Sequence, residues 1–342
     1  MASRARLHHV GWDQPLTVEG WTPGEPGPDQ VRVRVEACGV CHRDLVDREG
    51  RFPWLQLPLT PGHEAAGVVE AVGANVTAWR AGDRVGTLHR DHCGTCGACA
   101  RGETSLCIGA AWVFGWVADG GYATHLVAPA NALYALPANA HAIDVCALHC
   151  TVGTAWRGLV VQGGVRAGDR VLVTGANGGV GAAAVQVARR LDATVVAVVR
   201  RAADVGYVEG LGAQQVIVDD GSNFHRSVGE AADVALDCVG SPTFNASLRA
   251  TRMGGRVVAV GNVSEARVSL NLGFVIVNGL RICGSSGATA ADMAEVVALH
   301  AARPFDLAAL RDRVVPLAEA DAAQRAVRAG GLRGRIVLDC SS

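Results

Sequence analysis

Apolar and polar positions alternate with a period of two through much of the first 150 residues, in short runs such as VRVRVEA, AAGVVEAVG and YATHLVAP. Gly and Pro break these runs. Alternation of that period between turn residues predicts short strands, and so many of them predict an irregular all-β domain. From about residue 168 the pattern changes: RVLVTG is followed by GGVGAAAVQVARRL, then TVVAVV, the helix-like ADVGYVEGLG and QVIVD. DVALD and RVVAV continue the series, each set off by a helix-length segment. Strands alternating with helices predict βαβ units and a parallel, doubly wound sheet. The tail from about residue 286 has a helical stretch, a strand-like VVPL, a second helix and a closing GRIVLD. It is too short for a third domain and is expected to pack back on the first. The expected division is residues 1–151 with 286–342, and residues 152–285.

Composition narrows the function. A chain of 342 residues suits two domains, each long enough to bury a core. The formal net charge is -1, so no electrostatic footprint for nucleic acid or an anionic membrane is present. All 31 basic residues are arginine, which rules out a Schiff-base lysine and a P-loop lysine. Any phosphate is therefore met by arginine or by backbone amides. The opening MASRARLHHVGWDQ lacks the apolar segment of a signal peptide, and no run of about 18 apolar residues could span a bilayer. A cytoplasmic location is expected. In that reducing compartment the eleven cysteines are expected to be metal ligands or buried side chains rather than disulfides.

Cys93, Cys96, Cys99 and Cys107 follow the pattern C-x2-C-x2-C-x7-C in a Gly-rich loop, a spacing that suits tetrahedral zinc. The alternatives are two disulfides, an iron–sulfur cluster or a zinc ribbon on nucleic acid. The compartment disfavours the first, and the scarcity of basic residues nearby disfavours the last. Four ligands from one loop leave no open position, so this ion is expected to brace the loop and leave the chemistry to another site.

Three scattered pieces remain: Cys41 in CGVCHRDL, His63 and Glu64 in PGHEAAG, and Cys150 in ALHCTVGTAW. Singly, each is an ordinary buried residue. In order, G-V-C-H-x-D, P-G-H-E-x-x-G, G-D-R-V-G, the four-cysteine loop, a lone Cys and a Gly-rich turn after a strand resemble the zinc-containing medium-chain alcohol dehydrogenases, along nearly the whole chain. The resemblance implies an α/β fold made of a GroES-like irregular β-barrel catalytic domain and a Rossmann domain, and a homodimer or homotetramer acting on a small molecule. It implies that Cys41, His63 and Cys150 hold a catalytic zinc, with Glu64 an alternative ligand and Asp44 the carboxylate that orients His63. Two thiolates and one imidazole leave a fourth position for water or a substrate oxygen.

The stretch VLVTGANGGVG, residues 171–181, stands after a strand and opens a helix, where amides at the helix N-terminus favour a pyrophosphate. Gly175, Ala176, Asn177, Gly178, Gly179, Val180 and Gly181 are the candidate contacts. The match is imperfect, because Ala176 stands at the first glycine position when Gly178 and Gly181 are aligned, and a plain Gly-rich turn is the alternative. At the end of the next strand, where an NAD site carries an acid, stand Arg200 and Arg201, a pair that suits the 2′-phosphate of NADP(H) unless it is merely solvated. The resemblance also places Val239 and Gly240, then Gly261, Asn262 and Val263, then Ser285 and Ser286 along the bound cofactor.

The family pattern breaks at two positions. The alcohol dehydrogenases carry Ser or Thr two residues after the first zinc cysteine and His three further on, as a proton relay; this chain has Arg43 and Val46. His42, His89 and His149 are the candidate substitutes. Arg43, with the stretch from Asp233 to Val263, resembles the acryloyl-CoA reductases, which send hydride to an activated C=C bond. Arg43 is expected to meet a substrate anion, or else to pair with cofactor phosphate or Asp44. The leading expectation is a zinc-dependent, NADP(H)-preferring oxidoreductase on an alcohol/carbonyl pair. The rivals are an enoyl reductase and a catalytically silent zinc- and nucleotide-binding protein.

Overall fold

In the computed structural model, which describes residues 2–220, 223–264 and 266–341, the chain starts with a short antiparallel ribbon, β1 (Ser3–Arg6) and β2 (Thr17–Gly20). The first long alternating run becomes β3 (Gln30–Val40). Val31, Val33 and Val35 point into the core, and the arginines between them point away, as the period of two requires. Cys41 then caps α1 (His42–Arg48), and the carboxylate of Asp44 closes a capping box on the Cys41 amide. β4 (Glu64–Val72) returns antiparallel to β3, and β5 (Arg84–Thr87) follows beside β4. A loop carrying the one-turn helix α2 (Gly97–Ala100) leads to β6 (His125–Pro129) and β7 (Leu133–Ala135). The short α3 (Ala142–Val145) ends this part of the chain.

After α4 (Thr154–Trp156) the strands become parallel. β8 (Arg170–Thr174), β9 (Thr194–Val199), β10 (Gln215–Val218), β11 (Ala232–Asp237), β12 (Thr251–Ala259) and β13 (Arg281–Gly284) form one sheet in the order β10-β9-β8-β11-β12-β13. The connections include α5 (Gly179–Arg190), α6 (Val205–Gly210), α7 (Phe244–Ala250) and α8 (Leu272–Val277). Val171, Leu172 and Val173 are fully buried, which explains why this strand reads as a continuous apolar run. The order reverses between β8 and β11, and in such sheets a ligand lies beyond the carboxyl ends of the strands at that reversal.

The tail supplies α9 (Ala290–Ala302), β14 (Arg311–Pro316), α10 (Ala320–Ala329) and β15 (Arg335–Asp339). β15 lies between β14 and β3, and these three with β4, β5, β7 and β6, which branches off at β3, make a seven-stranded sheet. Ile336 is the register partner of Val40, so Arg335 arrives beside Cys41. By contacts the chain divides into Met1–Cys150 with Ala288–Ser342, and Thr151–Gly287. The sequence placed these breaks at 151 and 286.

Candidate active site

The first unit brings together the donors that the sequence scatters. One ligand atom from each of Cys41, His63, Glu64 and Cys150 lies within 4.8 Å of the others. The sulfurs of Cys41 and Cys150 are 3.7 Å apart, too far for a disulfide bond. Their positions follow from the local fold: Cys41 ends the β3–α1 joint, His63 and Glu64 begin β4, and Cys150 sits in a wide helical turn over residues 149–153.

Asp44 organises one side of this cluster. Its Oδ1 is 3.1 Å from His63 Nδ1, and its Oδ2 accepts from the Cys41 amide at 2.9 Å and from the Tyr122 hydroxyl at 2.8 Å. A carboxylate so held fixes Nδ1–H on the imidazole and leaves Nε2 as the lone-pair donor. Arg335 organises the other side. Its Nε donates to both oxygens of Glu64, and its Nη2 approaches the sulfurs of Cys41 at 3.5 Å and Cys150 at 3.8 Å. The hydrogen bond from Cys150, with Arg335 and His63 adding, pulls the Cys41 thiol well below its ordinary pKa despite burial, while the same pairing pushes Cys150 up. A thiolate at Cys41, an oriented imidazole and a carboxylate with its charge offset are chemically suited to zinc.

The second cluster is separate. The sulfurs of Cys93, Cys96, Cys99 and Cys107 converge at 3.5 to 3.9 Å, as a tetrad and not as two bonded pairs. Backbone amides of Cys93 and Cys96 donate to the sulfurs of Cys107 and Cys93. Hydrogen bonds from Thr95 and Cys96, together with Cys107, bring the Cys93 thiol down to about 6. Cys96 is likewise lowered, while burial and the hydrogen bond with Cys96 push Cys99 up, and four sulfurs converging in one loop fit a four-sulfur zinc site.

In the second unit, the turn after β8 resolves the irregular glycine pattern. Gly175 takes the left-handed conformation at φ +60°, so the tight-turn glycine is Gly175 and the buried Ala176 simply follows it. A side chain at Gly181 would lie 2.2 Å from the Gly175 carbonyl oxygen, so only glycine lets α5 approach the strand this closely. Gly178 caps α5, with Gly179, Val180 and Gly181 in its first turn. The other predicted segments follow β11, β12 and β13 at their carboxyl ends. Val239 and Val263 share a backbone bond of 3.0 Å, the Ser241 amide donates to Asn262 at 3.5 Å, and Ser285 donates to the Ala259 carbonyl at 3.0 Å. The Ser285 hydroxyl is buried without a protein partner, as a hydroxyl awaiting a ligand would be. Arg201 is held by Asp204 at 2.8 and 2.9 Å, whereas Arg200 is exposed and makes no hydrogen bond or ion pair among the described residues.

One expectation is corrected, and two of the candidate relay histidines are placed. Arg43 does not pair with Asp44, whose oxygens are already engaged. Its Nε lies 3.2 Å from Asp47 Oδ2, its Nη2 donates to the Phe114 carbonyl, and its guanidinium stands 5.1 Å over the Trp116 ring. Of the candidate relay histidines, His149 spends Nε2 on the Ala288 carbonyl at 3.1 Å, and burial lowers its pKa to about 4. His89 stacks on it at 5.6 Å and is likewise lowered by burial, so both rings rest neutral. Arg335 and Tyr122 are the site residues that the sequence did not reveal. Each is one polar side chain in an ordinary strand-like segment, and only tertiary pairing brings it to the cluster.

Residues 27–138 match the model of the alcohol dehydrogenase GroES-like domain, and residues 179–302 that of the zinc-binding dehydrogenases. The acryloyl-coenzyme A reductase of Sulfurisphaera tokodaii is 36% identical over 281 residues, 80% of this chain and 82% of its own. An alcohol dehydrogenase of Geobacillus stearothermophilus is 32% identical over 332 residues, 95% of this chain and 96% of its own. The crystal structure of AibC, 39% identical, superposes with a TM-score of 0.92 over 99% of this chain and 95% of that one.

Proposed function

Because this chain belongs to the zinc-containing medium-chain alcohol dehydrogenase/reductase family and is an oxidoreductase, we propose that it reduces an activated C=C bond of an α,β-unsaturated thioester or ketone with NADPH. The observation that carries this reading is the state of Arg43. The position of the relay hydroxyl is filled by a guanidinium bound to Asp47, Phe114 and Trp116, and Val46 stands where the relay imidazole would be. The hydroxyl–imidazole relay that would carry an alcohol proton is missing at these two positions, whereas conjugate reduction takes up its proton at the α-carbon and can draw it from water without passing it through a zinc-side hydroxyl. The similarity to acryloyl-coenzyme A reductase supports the same reading.

Cys41, His63 and Cys150, with Glu64 as the alternative donor, would hold the catalytic zinc, and Cys93, Cys96, Cys99 and Cys107 the structural one. When bound, the catalytic zinc supplies Lewis acidity to a substrate oxygen and the nicotinamide supplies hydride. The chain's own residues prepare both. Asp44 holds the His63 ring, Arg335 offsets the charge of Glu64 and the thiolates, and the amides at the head of α5 favour a pyrophosphate. Arg200, left open by the engagement of Arg201 with Asp204, is the residue for the 2′-phosphate.

An alcohol/carbonyl reaction is the second reading, favoured by the complete donor set at Cys41, His63, Glu64 and Cys150. The deciding experiment follows NADPH and NADH oxidation by zinc-quantified protein on saturated aldehydes and ketones, and on matched enoyl thioesters and enones. Turnover confined to saturated carbonyls would overturn the first reading.

No helix of the described residues is long and apolar enough to cross a membrane, which is compatible with the cytoplasmic location proposed here. We also propose a homo-oligomer joined through the second unit. β13 is the edge of its sheet, and Met253, Leu272, Ile276, Val277 and Ile282 are exposed around it. Two such edges pair antiparallel across a twofold axis. Light scattering on wild type and Ile276→Asp tests this, and a monomeric wild type would sink it.

A further inference from the structure

Arg43 is held more firmly than a surface arginine needs to be. Nε faces Asp47 at 3.2 Å, Nη2 donates to the Phe114 carbonyl, and the cation rests 5.1 Å over Trp116. These partners are themselves fixed: Trp116 Nε1 donates to Asp47 Oδ1, and Phe52 packs on Trp116 with ring centroids 4.3 Å apart. Nη1 has no partner among the described residues, and the side chain keeps 19% of its surface. So one edge of a clamped guanidinium is left open.

The guanidinium also lies close to the turn that carries a metal donor. A Cβ on Gly115 would sit 2.9 Å from Arg43 Nη2 and 3.4 Å from the amide nitrogen of Gly62, the residue before His63. Arg43 also follows Cys41 by two residues in the first turn of α1. A cation held near the residues that carry these donors, with one nitrogen unpaired among the described residues, matches the kind of group that stabilises charge developing on a substrate oxygen.

We propose that Arg43 is a catalytic residue, whose open Nη1 edge hydrogen-bonds the carbonyl oxygen of an α,β-unsaturated thioester and stabilises the enolate formed there. The inference rests on the reductase reading above. Hydride from the reduced nicotinamide adds to the β-carbon, and the π pair of the C=C bond shifts to form the enolate, whose negative charge lies on oxygen. A proton from water then adds to the α-carbon, and the carbonyl re-forms. Asp47, Phe114 and Trp116 act only through Arg43, by holding it.

The test uses zinc-loaded full-length protein, with acetoacetyl-CoA as the probe. This β-keto thioester ionises to an enolate with its own ultraviolet band, so binding beside a cation strengthens the band and lowers the pH at which it rises. Wild type, Arg43→Lys and Arg43→Gln are compared with Arg43→Gln/Asp47→Asn, which leaves no unpaired carboxylate and guards against misfolding. Loss of one preorganised donor should lower kcat for crotonyl-CoA about 10²- to 10³-fold. The enolate band should fall with it in both Gln variants, and Lys should restore part of each. An unchanged band and kcat in the double variant would overturn the assignment. A wild type that reduces saturated aldehydes and ignores crotonyl-CoA would overturn the reductase reading instead, before any variant is made.

Discussion

Arg335 and Glu64 face each other with the guanidinium Nε 3.2 and 3.3 Å from the two carboxylate oxygens, and both side chains are almost wholly buried. The same guanidinium reaches Cys41 and Cys150, so one cation touches three of the four candidate donors. Removing one partner of a buried pair strands the other charge, at a cost of about 3–5 kcal/mol. Arg335→Met should therefore destabilise the protein by that order in urea denaturation, and Glu64→Gln added to it should recover most of the loss. A double variant no better than the single would show that Arg335 contributes by packing alone.

The pairing explains what the sequence could and could not reveal. Cys41, His63, Glu64 and Cys150 were legible only as an ordered set, through the resemblance of nearly the whole chain to the family, since singly each reads as an ordinary buried residue. Arg335 was not, because it lies 271 residues from Glu64 and reaches it only through the antiparallel register of β15 on β3. Tyr122 arrives from the loop before β6 in the same way. The partner of Arg43 lay within reach of local reasoning. Residues four apart share one face of a helix, which places Asp47 beside Arg43, while Asp44 is turned toward Cys41, His63 and Tyr122. Gly175 was among the candidate contacts, but aligning the motif on Gly178 and Gly181 put its first glycine at Ala176, one residue after Gly175, where the positive φ lies.

The four-cysteine loop should behave as a local folding unit that depends on its metal. Each ligand thiolate lost leaves the others without the ion that holds them, and metal affinity in such sites is folding free energy. Cys96→Ser and Cys107→Ser should lower zinc from about two ions per chain to about one. Limited proteolysis should then cut between residues 93 and 107 while the strands of the first unit stay protected. Metal analysis with unchanged stoichiometry would refute the site.

Cofactor choice should rest on Arg200 more than on its neighbour. Arg201 already satisfies Asp204 at 2.8 and 2.9 Å, whereas Arg200 is exposed and open. A hydrogen bond to a charged group contributes about 1.5–3 kcal/mol, or roughly 10- to 100-fold. Arg200→Ala should cut the NADPH-to-NADH ratio of kcat/KM by that factor, and Arg201→Ala by much less. The reverse ranking would move the 2′-phosphate to Arg201.

Stability should also carry the mark of Asp47. Burial pushes its carboxyl from 3.8 up to about 7, while Arg43 pulls against this; Asp44 raises it, and His63 and the Trp116 N–H lower it. The folded state thus holds the proton more tightly than the unfolded chain. The stabilisation is complete below pH 3.8 and is lost as pH rises to about 7, because the unfolded chain ionises first. Linkage sets a ceiling of about 4 kcal/mol at 1.36 kcal/mol per unit. Asn at this position cannot titrate, so the difference in unfolding free energy between wild type and Asp47→Asn should drift against wild type from pH 4 to pH 7 and flatten above it. The metal ligands titrate in both proteins and cancel in that difference. A difference that stays level from pH 4 to pH 8 would mean that Arg43 keeps the carboxylate ionised throughout, with its pKa near that of an ordinary aspartate.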